Sequence, residues 1–178
     1  MLFLLLGFTN ILSLNKINDL KYSLTAIDEE LILTQNVYEE YTLNGISLKQ
    51  LTPREFDMIV CAFAQAYELK PETVKTIIHI ESSWNPKALS SADCRGLMQL
   101  HPRTALKKYG ITKDKLYDPW INIRLGCDYY SHLLNQFDNE RDRALVAYNS
   151  GPTNARKVRY PSEYFYVKKF EEALITYQ

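Results

Sequence analysis

The sequence has few of the residues that bind metals or form disulfides: its 178 residues include three cysteines and three histidines. An odd number of cysteines excludes a fully paired disulfide framework, although the sequence leaves open a bond between Cys94 and Cys127. The histidines are scattered, and no HExxH or other zinc-binding spacing is present. We therefore expect a protein that needs neither a metal nor a cofactor.

Net charge is also lacking, because 21 Lys and Arg residues balance 21 Asp and Glu residues. Residues 1–51 carry three basic against six acidic residues, and the remainder carries 18 against 15. The net charge of +3 on residues 52–178 is too small to identify a partner. Without a basic stripe or a recognised motif, the chain is not expected to bind nucleic acid.

No hydrophobic run is long enough to span a membrane. The apolar residues 1–14 form a segment with the length of a signal-peptide core, whereas a membrane span needs about 20 residues. No Lys or Arg precedes Lys16, and no clear cleavage site follows. We interpret the segment as a signal peptide that lacks its first residues; packing on the domain is the alternative. Cys61, the first cysteine, lies too far along the chain for lipid attachment.

Helical periodicity dominates the rest of the chain. Residues 15–51 carry apolar side chains at helical spacing and are predicted to form an N-terminal helical extension. Thr52 and Pro53 form a strong helix start, from which residues 52–178 are predicted as one domain. Proline, glycine and aspartate then divide this domain into helices beginning near 71, 102, 119, 143 and 162. The predicted fold is mainly α, with at most a small β element.

Glu81 is the most informative residue. Val74, Ile77, Ile78 and Glu81 follow the i, i+3, i+4, i+7 spacing of one helical face, so a carboxylate points the same way as three aliphatic side chains. The helix is expected to end at Glu81, because Asn85-Pro86 follows just beyond it. Apolar surroundings and a helix C-terminus both favour the protonated acid. Glu81 is therefore a candidate general acid.

Three further motifs follow Glu81-Ser82 in order: residues 96–100 (GLMQL), 122–126 (NIRLG) and 147–152 (AYNSGP). Together they resemble the catalytic domain of the soluble lytic transglycosylases, the SLT family, and the resemblance covers most of the chain from residue 52 onward. Members are lysozyme-like enzymes that cleave the glycan strands of bacterial peptidoglycan. The resemblance implies a lysozyme-like fold with its small β element beside an active-site cleft, and a location in the periplasm or cell envelope.

The resemblance also implies that one glutamate performs both proton transfers and produces a 1,6-anhydro end. This agrees with the poor candidates for a second carboxylate of the kind most glycosidases use. Asp118 precedes Pro119 and is predicted to cap a helix. Asp93, in a loop, and Asp128, on a helix, are both predicted to be solvated.

Seven further residues are predicted to bind substrate: Ser82, Ser90, Met98, Gln99, Tyr148, Asn149 and Tyr166. The family match implies that Ser90, Tyr148 and Asn149 face the sugar and that Tyr166 approaches the acid. Gln99 offers a donor and an acceptor, and Met98 an adaptable apolar surface. There are alternatives to substrate binding. The two serines could instead form turn or capping hydrogen bonds, and the other five residues could have purely structural roles.

Other motif positions have structural interpretations. Leu97 and Leu100 are predicted to lie in the core, Asn122 to make structural hydrogen bonds, and Gly126 to allow close helix packing. Residues 162–167 (SEYFYV) depart from the Glu-Thr-Arg-x-Tyr-Val run common in the family and keep only its last two residues. This departure affects what the resemblance implies about the product-side subsites, but not the reaction class.

Two other functions stay open at this stage. A goose-type-lysozyme-like hydrolase would use the same fold and a single glutamate, but would leave reducing ends. A non-catalytic wall-binding or assembly module of an envelope machine is the other, although the presence of Glu81, Gln99, Tyr148 and Asn149 argues against an inactive site. The expected partner is peptidoglycan, secretion or flagellar machinery is a further candidate, and we expect a monomer.

Overall fold

The computed structural model describes residues 53–178, with side chains from residue 56 onward. The predicted segment 1–14, the extension 15–51 and the cap at Thr52 lie outside the described residues. The described residues form seven α-helices and two short 3-10 helices. The α-helices are α1 Pro53–Ala66, α2 Pro71–Ser82, α3 Pro102–Tyr109, α4 Pro119–Gln136, α5 Arg141–Ser150, α6 Pro152–Ala155 and α7 Phe165–Leu174. The 3-10 helices are Lys113–Tyr117 and Pro161–Glu163.

Proline sets the start of most of these helices. A proline stands at the first position of α2, α3, α4 and α6, where its missing N–H is not needed. Asp118 caps α4 by accepting a hydrogen bond from the Ile121 N–H at 3.1 Å, as predicted. Gly110 ends α3 with a left-handed φ of 68°, also as predicted.

Helix α2 ends beside Glu81 and before Pro86, within one residue of the limit that the sequence predicts. Its last residue is Ser82, and Ser83 adopts the left-handed conformation with a φ of 49°. The Ser83 N–H donates to the His79 carbonyl at 2.9 Å and closes the last turn. Local capping geometry, rather than Pro86, therefore stops the helix and leaves Glu81 in its final turn.

The main core brings together α1, α2, α4, α5 and α7. Phe63, Ile77, Tyr130 and Phe170 are among its largest fully buried side chains. A second, smaller cluster lies under α3 and the 3-10 helix that follows it, and comprises Leu100, Ala105, Leu116 and Leu125. The domain therefore has a principal body and a lobe formed by α3 and its 3-10 helix.

The β content of the described residues is limited to isolated bridges. Arg95 pairs with Leu89 on one side and with Leu100 on the other, both antiparallel. The prediction of a mainly α fold with a very small β element is confirmed. No helix between residues 53 and 178 has the length and apolar character needed to cross a membrane.

Candidate active site

Glu81 lies in the last turn of α2, above the fully buried Val74, Ile77 and Ile78. Its side chain is half-buried, and burial raises the pKa of its carboxyl above the ordinary value. This direction agrees with the sequence prediction. A glutamate with a raised pKa can hold a proton closer to neutral pH, as a general acid requires.

Two residues of α7 oppose this effect. The buried Tyr166 donates a hydrogen bond from its hydroxyl to Glu81 Oε1 at 2.5 Å. Lys169 donates from Nζ to the Ile80 carbonyl at 2.9 Å, which places its positive charge beside the same turn. Both interactions lower the pKa of Glu81, but burial outweighs them. The contact that the resemblance implied for Tyr166 is present, whereas Lys169 was not predicted.

Asn122 fixes the loop that carries Gln99. Its fully buried side chain accepts a hydrogen bond from the Met98 N–H at 2.7 Å. Its Nδ2 donates to the carbonyls of Arg95 and Leu116, at 2.9 and 2.7 Å. Gly96 has a φ of 77°, and a Cβ there would lie 2.8 Å from Cγ of Asn122. The structural role predicted for Asn122 is confirmed, and Gly96 is required by both conformation and space.

Met98 requires a correction. Its side chain is fully buried in the core, so it offers no apolar surface to a sugar. The reason is Gly126, where a Cβ would lie 2.8 Å from Cε of Met98 and would also collide with Sδ. Gly126 thus makes room for a methionine side chain rather than for another helix. The core positions predicted for Leu97 and Leu100 are confirmed.

Gln99, Tyr148 and Asn149 line one cavity of about 180 Å³. Gln99 Nε2 donates to the carbonyls of Gly96 and Ala88, at 3.0 and 3.3 Å. Its Oε1 accepts no hydrogen bond from residues 56–178, so it can receive a donor from a ligand. The Tyr148 hydroxyl donates to the Met98 carbonyl at 2.8 Å, and the exposed Asn149 accepts a hydrogen bond from Tyr164 at 3.3 Å.

The cavity lies close to Glu81. Cys94 and Tyr148 line it, and the negative charge of Glu81 adds to burial in raising the pKa of both groups. The sequence did not identify its remaining walls, which come from α3, α4 and residues 100–101. These residues are Leu100, His101, Thr104, Ala105, Tyr109, Leu125 and Tyr129. Their contribution depends on how α3 packs on α4, which local periodicity does not reveal.

The two predicted serines make local hydrogen bonds. Ser82 donates to the Ile78 carbonyl in its own helix at 3.1 Å. Ser90 accepts a bond from the Cys94 N–H at 3.1 Å within a turn. These are the capping and turn contacts that the sequence left as alternatives, and substrate binding by either serine stays a prediction.

The other carboxylates near the motifs have structural partners. Asp118 is a helix cap, and the exposed Asp93 forms an ion pair with Arg95 at 2.6 Å. Asp128 is half-buried and accepts bonds from Tyr109 and, at 2.8 Å, from Lys108, so the prediction that it is simply solvated is wrong. None of the three lines the cavity beside Glu81.

The described residues also bear on the expectations about metal binding and disulfide bonds. Within residues 53–178, no three His, Cys, Asp or Glu side chains lie together in a way that could hold a metal ion. Cys94 and Cys127 are free thiols and form no disulfide with each other. Cys127 is fully buried, which raises the pKa of its thiol strongly.

Comparison with known proteins agrees with this geometry. Residues 58–166 match the model of the Transglycosylase SLT domain. Over 133 residues, the chain is 31% identical to membrane-bound lytic murein transglycosylase E of Buchnera aphidicola, covering 70% of this chain and 60% of the relative. It is 32% identical over 116 residues to the soluble lytic murein transglycosylase of Escherichia coli, covering 61% of this chain and 18% of the relative.

A solved structure supports the same assignment. The lytic transglycosylase Slt of Pseudomonas aeruginosa superimposes with a TM-score of 0.54 and 26% identity, over 84% of this chain and 28% of that protein. The family model covers more than half of the chain, which therefore belongs to the transglycosylase SLT domain family. The chain spans only part of the length of these relatives, so their complete activities do not transfer automatically.

Proposed function

We propose that this protein is a peptidoglycan lytic transglycosylase. It would cleave the β-1,4 bond between N-acetylmuramic acid and N-acetylglucosamine and leave a 1,6-anhydro-N-acetylmuramic acid end. The observation that carries the proposal is the half-buried Glu81, whose pKa is raised and whose Oε1 accepts a hydrogen bond from Tyr166. Glu81 lies beside a cavity whose own lining contains no carboxylate.

The reaction needs one proton donor that becomes a proton acceptor. Protonated Glu81 gives its proton to the glycosidic oxygen, the bond from that oxygen to C1 of N-acetylmuramic acid breaks, and the N-acetylglucosamine end departs. The acetamido group of the substrate stabilises the cationic centre at C1. The Glu81 carboxylate then takes the proton of the C6 hydroxyl while O6 bonds to C1. Glu81 is protonated again, water is not consumed, and the intramolecular attack benefits from a high effective concentration.

The cavity residues suit the rest of the substrate. Gln99 and Asn149 present amide groups, which pair well with acetamido and hydroxyl groups. Tyr129 and Tyr148 have ring centroids 5.6 Å apart and supply flat apolar faces for a sugar ring. The hydroxyl of Tyr166 orients the carboxyl of Glu81 for both proton transfers.

Substrate and location follow from the same proposal. A peptidoglycan-cleaving enzyme must reach the cell wall, so the protein would act in the periplasm or cell envelope. Its relatives include enzymes described as membrane-bound and as soluble. We expect a monomer to act on the wall and keep secretion or flagellar machinery as a candidate partner.

Mass spectrometry of muropeptides released from purified peptidoglycan tests the proposal, with wild type and Glu81→Gln compared in parallel. We expect anhydro products from wild type and their loss in the variant. Reducing-end products would identify a lysozyme-like hydrolase instead. Release of anhydro products by Glu81→Gln would show that another residue is the acid, and binding without any release would favour a wall-binding module.

A further inference from the structure

One lobe of the domain carries a concentrated basic surface. Five exposed cations lie within residues 103–115, on α3 and the 3-10 helix that follows it: Arg103, Lys107, Lys108, Lys113 and Lys115. The single acid in this stretch is Asp114. Lys108 forms an ion pair with Asp128, but no acid among residues 56–178 pairs with the other four. We call these five residues the basic face.

Helix electrostatics explain only part of this face. Lys107 and Lys108 lie in the last turn of α3, where the helix dipole favours positive charge. Arg103 lies in the first turn, where the dipole disfavours it. Arg103 and Lys107 are also four residues apart, so their like charges face each other on the helix surface. A bound anion would relieve both unfavourable interactions.

The basic face and the cavity share α3. His101, Thr104, Ala105 and Tyr109 line the cavity, while Arg103 and Lys107 project from the exposed side of the same helix. Leu116 is fully buried in the small core cluster beneath, and Gly110 closes the helix. The cations are therefore held beside the cavity by a packed lobe rather than by a free loop.

We propose that the basic face binds the carboxylates of the peptides attached to the glycan strand while the strand occupies the cavity. This inference rests on the proposed function, since it assigns a place to the anionic part of the same substrate. The cavity lining offers amides, tyrosines and a histidine, but no lysine or arginine. The peptide carboxylates therefore require cations outside the cavity, and the basic face is adjacent to it.

The expected contribution is modest for each cation and larger for the group. An exposed ion pair contributes little by itself, and salt screens it. Leu106, which lies between Arg103 and Lys107 and is 59% exposed, adds an apolar contact for peptide methyl groups. Binding of peptide-bearing strands should therefore weaken with salt more steeply than binding of bare glycan.

The test separates binding from turnover by using the full chain with Glu81→Gln as the parent. Peptidoglycan is treated with hydrofluoric acid to remove phosphate polymers, and half is stripped of its peptides with an amidase, which leaves one lactyl carboxylate on each N-acetylmuramic acid. Both materials are coupled to agarose beads through sugar hydroxyls, because glycan strands without peptide cross-links do not sediment, and binding is measured by bead pull-down at low and high salt. The parent is compared with the added changes Arg103→Gln, Lys107→Gln and Lys113→Gln. The matched control changes Lys70, Lys157 and Arg159, which are exposed and do not line the cavity, to Gln.

We expect the basic-face variant to bind intact peptidoglycan about tenfold more weakly than the control variant at low salt, because several weak ion pairs are lost together. Binding to peptide-free glycan should be unchanged, and thermal unfolding should match that of the control. Equal binding by both variants, or equal loss on both materials, would overturn the inference while leaving the anhydro-product test untouched. Failure of the parent to bind either material would overturn the proposed substrate as well.

Discussion

Tyr166 Oη lies 2.5 Å from Glu81 Oε1 and donates a hydrogen bond to it, joining α7 to the last turn of α2. The two residues are 85 positions apart, so the bond depends on the packing of the whole domain. It holds one carboxyl oxygen and favours the charged form, while burial favours the protonated form. Under the proposed mechanism, in which Glu81 acts first as an acid and then as a base, this contact would orient the carboxyl, and the two opposing effects would keep both protonation states accessible.

If the proposed function is right, replacing Tyr166 with Phe should reduce the release of anhydro products by about ten- to a hundredfold, because the carboxyl proposed to transfer the proton loses its orientation. The pKa of Glu81 should rise, since a hydrogen bond to its charged form is removed. Initial rates of muropeptide release across a range of pH would measure both effects. Tyr160→Phe is the control, because Tyr160 is 61% exposed. An unchanged rate and pH profile for Tyr166→Phe would contradict the positioning role.

Lys169→Met should shift the alkaline side of the activity profile to higher pH. In the proposed reaction the first step needs protonated Glu81, so activity should be lost as the pH rises through the pKa of this carboxyl. Lys169 lowers that pKa, and its removal therefore extends the protonated form upward. The profile of kcat/KM against pH measures the shift.

The neighbouring lysine provides the control for this experiment. Lys168 is exposed and pairs with Glu163 at 2.8 Å, so Lys168→Met should leave the profile unchanged. Lys169→Arg should keep the wild-type profile because it retains the charge. A shift of equal size for Lys168→Met would mean that net charge, rather than the position of Lys169, is responsible.

Residue types and short-range spacing are enough to predict most helix limits and the surroundings of Glu81. Proline and glycine positions give most helix limits, and the apolar spacing below Glu81 gives its half-buried setting. Contacts between distant residues were harder to foresee. Lys169 reaches the Ile80 carbonyl from 89 positions away, and no periodicity links the two.

The burial of Met98 was missed for a related reason. Residue type alone made this methionine a suitable surface for a sugar, but the space that accepts it is created by Gly126 on α4. Because Gly126 has no side chain and is distant in the sequence, nothing in the residues around Met98 predicts that it will be buried. The cavity walls from α3 and the basic face likewise depend on tertiary packing.

Asn122→Ala should destabilise the fold by about 3–5 kcal/mol, because the Met98 N–H and the Leu116 carbonyl lose their buried partner, and the Arg95 carbonyl keeps only its bond from the Leu100 N–H. Denaturant unfolding followed by circular dichroism gives the change in the free energy of unfolding. Asn154 makes one exposed bond to the Ser150 carbonyl, so Asn154→Ala should change this free energy by less than about 1 kcal/mol. Similar values for the two variants would refute the central role of Asn122.

Gly126→Ala should destabilise the protein by about 1–3 kcal/mol, because the new methyl group overpacks a filled core. Its Cβ would lie 2.8 Å from Cε and 2.9 Å from Cβ of Met98. Met98→Ala alone should destabilise by about 2–5 kcal/mol through the cavity it leaves. In the double variant the added methyl occupies part of that cavity, so the two effects should be less than additive. Unfolding free energies of the single and double variants measure this coupling, expected at about 0.5–3 kcal/mol.

A second glycine distinguishes overpacking from backbone strain. Gly110 has a φ of 68° and open space where a Cβ would stand. Gly110→Ala should therefore destabilise through its left-handed conformation alone, and its effect should simply add to that of Met98→Ala. If Gly126→Ala is also additive with Met98→Ala, the close contact between Gly126 and Met98 does not determine how residues 96–100 pack against α4. If it is coupled as expected, the glycine on α4 fixes the loop that holds Gln99 at the cavity.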